Sequence, residues 1–152
     1  MSTPPTLHAL RRVGRLITVA GTVFVAVGAA AWSVITSQLK AEKITVPPNA
    51  PAFAGRQVQD PATAFVEAQV IKSNAEHGSD GRTFADISDA LRTVEKGSDE
   101  EKRLRGQSAA LSTAASLRTS LMTSVLAYGV SALVAGLGAL FLLVGGQLRR
   151  VG

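Results

Sequence analysis

Two long stretches of the chain carry no charged side chain, and they set the reading of everything else. Residues 16–39 and residues 119–148 contain no Asp, Glu, Lys or Arg. Within the first, Leu16 to Ile35 is a twenty-residue apolar run rich in Val, Ala and Gly. At a rise of about 1.5 Å per residue this matches a hydrocarbon core of roughly 30 Å. Within the second, Leu121 to Val144 is longer, dominated by Leu and Val, and free of proline. The pattern predicts an all-α membrane protein with two antiparallel transmembrane helices and a mostly helical extracytoplasmic segment. The expected divisions are a cytoplasmic tail (1–15), a first span (16–35), the outer segment (36–120), a second span (121–144) and a short tail (145–152).

The polar segment between the spans has its own punctuation. Ile44-Thr45-Val46 reads as a short extended piece, and Pro47, Pro48 and Pro51 force a turn or polyproline stretch after it. Asp60-Pro61 pairs a capping carboxylate with the residue suited to the first helical position, so a helix is predicted from there to about His77, stopped by Gly78. Ser79-Asp80-Gly81 reads as a turn. Thr83 caps a second short helix, whose Phe84, Ile87 and Leu91 are spaced to give one apolar face. Gly97 breaks it. Ser98 with Glu101 forms a capping box, and no proline follows, so one helix is expected to run from Asp99 through the second span, loosened at Gly106. With only Phe53, Phe65 and Phe84 as aromatics, the outer segment buries little area and is expected to pack on the membrane-proximal helix, another copy or a partner.

Charge fixes the expected orientation. The net charge is +5, but the surplus lies wholly in five flanking arginines: Arg11, Arg12 and Arg15 before the first span, Arg149 and Arg150 after the second. The other eleven basic residues balance the eleven acidic ones, all in the outer segment. Arginines that meet anionic headgroups and resist translocation place both termini in the cytoplasm. A basic stripe and interleaved aromatics are both missing, which argues against nucleic acid as a partner. The absence of cysteine excludes disulfides and thiolate ligands.

The first span has a rival reading as a cleavable signal peptide, with Ala29-Ala30-Ala31 offering the small residues required for cleavage. The apolar run continues past that point through Trp32, Val34 and Ile35, and exceeds the usual 7–15 residues of a signal core, so a retained helix is expected. Trp32 and Tyr128 fall at comparable distances from the outer charges, as an aromatic belt would.

Chemistry-bearing constellations are scarce. His8 and His77 are separated by the membrane on this topology, so one chain makes no two-histidine metal site. His77 with Glu76 and Asp80 reads as a solvated helix end. A calcium loop around Asp80-Gly81 fails because its closing glutamate position falls on Ile87. Phosphate-binding glycine loops and a Ser–His–Asp set are absent. Asp99-Glu100-Glu101 favours a helix N-terminus. The spans hold no ionisable side chain apart from Tyr128, unlike pumps and proton relays. No cofactor and no enzymatic activity are expected.

The spans do offer packing surface. Gly14, Thr18, Gly21, Val25, Gly28 and Trp32 form one helical stripe. In the second span Gly129, Ala132, Gly136, Ala139, Leu143 and Gly146 form another. Small residues on such seams allow close helix contact, within the pair or between copies.

The layout resembles a group of small, uncharacterised actinobacterial two-pass membrane proteins. The likeness lies in Ile44-Thr45-Val46-Pro47, Phe53-Ala54-Gly55, Gly81-Arg82-Thr83-Phe84-Ala85 and Leu117-Arg118-Thr119-Ser120-Leu121. Proteins of this kind are sometimes labelled aromatic ring-opening dioxygenases. Such oxygenases hold iron with two histidines and a carboxylate, a set this chain does not assemble, so the resemblance implies the layout and not that chemistry. The expected role is an accessory or scaffold subunit that contacts membrane lipids and another membrane or envelope protein, or a homo-oligomer. The alternative is an extracytoplasmic ligand-binding or sensing module anchored by two helices.

Overall fold

The structure, a computed structural model, describes residues 5–151. It contains four helices: α1 (Pro5–Ala41), α2 (Pro61–Gly78), α3 (Phe84–Thr93) and α4 (Asp99–Val151). No strand occurs among the described residues. One isolated antiparallel bridge pairs Thr45 with Gln57, so the extended piece at residues 44–46 closes a loop on itself. Two helices, α1 and α4, are long and apolar enough to cross a membrane. Only 11% and 17% of their apolar windows are buried, whereas a core helix of a soluble domain hides most of its apolar face.

The helix starts follow the local chemistry of the sequence. Asp60 caps α2 by accepting from Thr63 N–H at 2.9 Å, and Pro61 follows at the first helical position. Thr63 reciprocates, its hydroxyl accepting from the Asp60 N–H at 3.2 Å. Thr83 and Asp86 make the same box at α3. At α4 the Ser98 hydroxyl accepts from Glu101 N–H at 3.0 Å, but the Glu101 carboxylate reaches one residue further back, to Gly97 N–H at 2.6 Å. Gly97 has φ +83 and suits the turn that aims this N–H.

The end of α2 falls where expected, at Gly78, and the Ser79-Asp80-Gly81 turn follows it, with Asp80 (φ 55) and Gly81 (φ 73) left-handed and Gly81 N–H returning to the Glu76 carbonyl at 2.8 Å. One expectation is not met. Gly106 does not loosen α4. The helix is continuous through it, since one glycine costs less than the turns on either side supply.

The chain divides into two compact units. One comprises the residues up to Gln38 with those from Leu126 onward; the other is Leu39–Val125. The second unit is built on a small-residue core: Val46, Val58, Ala64, Ala68 and Ile87 are fully buried, with Leu39, Val70, Leu104 and Leu121 nearly so. None of its three phenylalanines enters that core. Gln107 donates to the Gly78 carbonyl at 3.2 Å, and Arg103 pairs with Asp80 at 3.5 Å, tying the first turns of α4 to the end of α2.

Candidate functional site

In the first unit α1 meets α4 backbone to backbone. A Cβ placed on Gly21 would lie 2.7 Å from the Gly138 carbonyl oxygen and 2.9 Å from Leu142 N. One placed on Gly138 would lie 2.7 Å from both Gly21 O and Val25 N. Gly28 stands in the same relation to Ser131 O at 2.8 Å and Ala135 N at 2.9 Å, and Gly145 to Gly14 O at 2.8 Å. Each position admits hydrogen only. That is how glycine contributes in a membrane: it brings backbones close enough for dispersion to hold them where no hydrophobic effect separates helix from lipid.

Aromatic and hydroxyl groups close the end of the interface nearest Gln38. Trp32 meets Tyr128 edge-on with centroids 4.6 Å apart, and the Tyr128 hydroxyl lies 2.7 Å from Thr36 Oγ1. Tyr128 is 1% exposed. It is therefore an interior residue of the helix pair and not a member of a lipid-facing belt. The reason is its hydroxyl, which finds a partner on α1 instead of in the headgroup layer. Ser131 is likewise buried and donates to the Ala127 carbonyl at 2.8 Å.

Gly21 and Gly28 thus lie against α4, whereas the second expected seam lies elsewhere. Gly129, Ala132, Gly136 and Ala139 are exposed, and a Cβ on Gly129, Gly136 or Gly146 meets nothing within 4 Å. The face that meets α1 is Tyr128, Ser131, Ala135, Gly138, Leu142 and Gly145, the same spacing moved back by one residue. Small side chains do not fix the register on their own, because glycines sit on both stripes. The signal that separates the two is polarity: Tyr128 and Ser131 lie on the face that is covered by α1.

The five arginines are exposed. Arg149 is brought to the other group, its Cγ standing 3.0 Å from a Cβ on Gly14, next to Arg15.

The Leu39–Val125 unit holds one buried acid. Glu67 is 6% exposed, and its Oε2 is buried without a hydrogen-bond partner. Burial pushes its carboxyl above the ordinary glutamate range. Elsewhere the carboxylates are held down by donors: Asp86 by the Thr83 hydroxyl and N–H, Glu100 by Arg103, Glu101 by Gly97 N–H and then Arg105. A shallow groove of about 330 Å³ runs between α3 and α4, lined by Phe84, Leu91, Arg105, Ser108, Ala109 and Ser112. Phe65 and Phe84 are 46% and 54% exposed. Among the described residues no three His, Asp or Glu side chains converge as metal ligands. The side chain of His8 lies outside the described residues, and His77 is exposed at the end of α2, its Nδ1 2.7 Å from the Ser73 carbonyl. Comparison with protein-family models, curated proteins and solved structures finds no match.

Proposed function

We propose that this chain is a two-pass protein of the bacterial plasma membrane, of the small actinobacterial kind it resembles. Its spans are antiparallel, both termini are cytoplasmic, and residues 36–120 lie outside. Support for the antiparallel order comes from the contacts themselves: Gly14, Gly21 and Gly28 meet progressively earlier positions of α4, near 145, 138 and 131. The approach of Arg149 to Gly14 is in keeping with a shared cytoplasmic end for the two arginine groups.

Its role is that of an accessory or scaffold subunit. The two spans form a charge-free anchor whose helices meet so closely at Gly21, Gly28 and Gly138 that not even a methyl group fits there, and they hold none of the ionisable groups that ion and proton paths use. What the anchor holds in place is the outer unit, and the observation that carries the scaffold reading is the exposure of Phe65 and Phe84 there. Both are large apolar groups left outside a small-residue core and open to a partner. Purification in mild detergent from the native host tests this. A stoichiometric membrane or envelope protein is expected with the native chain and lost with Phe65→Ser or Phe84→Ser; a chain that purifies alone overturns the scaffold role.

The groove between α3 and α4 favours a second reading, a binding module. A co-purifying small molecule displaced by Ala109→Leu is its expected result. Alkaline phosphatase fused at position 80 is expected to be active, and fused at the C-terminus inactive.

A further inference from the structure

From the loop that follows α1 we infer a lipid-docking element: residues 47–56 lie on the phospholipid headgroups with Phe53 inserted at the interface. The inference rests on the two-pass reading and extends it to a surface outside the spans.

The loop is closed and held at its base. Val46 and Val58 are fully buried. Val46 N–H donates to the Arg56 carbonyl, Gly55 N–H to the Val46 carbonyl and Val58 N–H to the Ile44 carbonyl, each at 2.9 Å. A compact loop with joined ends and a fixed core beneath it is an Ω-type loop. Its tip is the reverse of what water favours. Pro51, Ala52, Phe53, Ala54 and Gly55 are five consecutive apolar residues, and all five are exposed. Such a run on a surface is a fault unless something covers it. Phe53 also has φ 58, a left-handed backbone that an aromatic side chain rarely adopts. The loop holds that strain and still leaves the ring outside, and strain kept in this way points to a use for the ring's position.

Position along the chain identifies the occupant. Gln57 Nε2 donates to the Lys40 carbonyl at 3.0 Å, so the loop's closing strand is fastened to the last turn of α1. Lys40 follows Ile35 by five residues of one unbroken helix, about 7.5 Å of rise. One headgroup layer is about 5–8 Å thick. The loop's base therefore lies about one headgroup layer beyond the end of the hydrocarbon span, and a tip turned back toward the bilayer has only that layer to cross. Its charge suits the place. Residues 47–56 contain a single charged side chain, Arg56, which is cationic and lies with its guanidinium carbon 5.2 Å from the Phe53 ring centroid. An apolar ring beside an arginine that also reaches Asp60 at 3.9 Å presents the pairing found at membrane surfaces, ring toward the acyl boundary and cation toward phosphate.

Depth-dependent quenching in the full-length protein, reconstituted in phosphatidylcholine–phosphatidylglycerol vesicles, tests the inference. Trp32 is the only tryptophan, so three proteins suffice: the native chain, Trp32→Phe with Phe53→Trp, and Trp32→Phe with Phe84→Trp. Lipids carrying a quencher near the carbonyl level are expected to extinguish the reporter at 53, with blue-shifted emission, and to spare the reporter at 84. Equal, weak quenching at 53 and 84 overturns the docking. Emission at 53 that is blue-shifted yet unquenched also overturns it, because a protein then covers the ring. Trp32 of the native chain left unquenched by lipids carrying the quencher in the upper acyl chain would sink the two-pass reading itself, so the two failures are told apart.

Discussion

Gly21→Ala is the sharpest perturbation of the helix pair. The added methyl carbon would stand 2.7 Å from the Gly138 carbonyl oxygen, 2.9 Å from Leu142 N and 3.0 Å from Phe141 Cβ. Two of those neighbours are backbone atoms of a continuous helix, so neither yields by a rotamer change and the helices must part locally. Overpacking of this kind costs about 1–3 kcal/mol. Alanine also returns roughly 0.5–1 kcal/mol as a better helix former than glycine. Gly136→Ala isolates that gain, since its methyl meets nothing within 4 Å. Trp32 is a built-in reporter because it packs on Tyr128 across the interface. In a titration from mild detergent into dodecyl sulfate, its emission should report separation of α1 from α4. Gly21→Ala is expected to separate at lower dodecyl sulfate than Gly136→Ala, the difference corresponding to about 1–3 kcal/mol. Gly21→Ala with Gly138→Ala should cost less than the sum of the two, because helices already parted for one methyl admit the second. Equal midpoints for Gly21→Ala and Gly136→Ala would refute the close backbone contact.

Other changes test other parts of the molecule. Tyr128→Phe removes the hydroxyl partnered with Thr36 and should weaken the helix pair by about 0.6–1.7 kcal/mol in the same titration. Gly97→Ala should destabilise the outer unit by about 1 kcal/mol through its positive φ, while Gly106→Ala, in open space on α4, should stabilise it by about 0.5–1 kcal/mol; thermal melts by circular dichroism distinguish them. Glu67 binds its proton more tightly folded than unfolded, so the outer unit gains stability as pH falls from above the raised folded value towards the ordinary glutamate value of 4.5. Glu67→Gln should abolish that gain and raise stability at neutral pH; the capping carboxylates Asp86 and Glu101, held low by their donors, oppose it only at more acidic pH.

The existence and order of the helices were legible because capping is local. Asp60-Pro61, Thr83 and Ser98 each mark a start through groups no more than four residues apart. What the sequence hid is what depends on partners distant along the chain. The α4 stripe of Gly129, Ala132, Gly136 and Ala139 and its neighbour one residue back have the same spacing and both contain glycine. Only Tyr128 and Ser131 tell them apart, and Tyr128 does so through a threonine ninety-two residues away. Glu67 was equally invisible. A glutamate flanked by Val66 and Ala68 on a helix reads as a surface position until the core around it is known. The inverse holds for Phe84, whose spacing with Ile87 and Leu91 promised a buried face although only Ile87 is enclosed.

The hydrogen bond between Thr36 and Tyr128 also sets an order of events during synthesis. At roughly 5–20 residues per second, the tyrosine is added about 5–18 s after the threonine. On the two-pass topology the first helix is thus left in the bilayer alone for a long interval on the scale of side-chain motion. Thr36 survives the wait, because a helical threonine can turn its hydroxyl to the carbonyl one turn earlier. Tyrosine has no such recourse: its hydroxyl stands too far from its own backbone. The later helix therefore brings its tyrosine to a level where the earlier one already holds the Thr36 hydroxyl. The contact joins two helices of one chain, so on that topology it becomes available as soon as the second helix enters the bilayer.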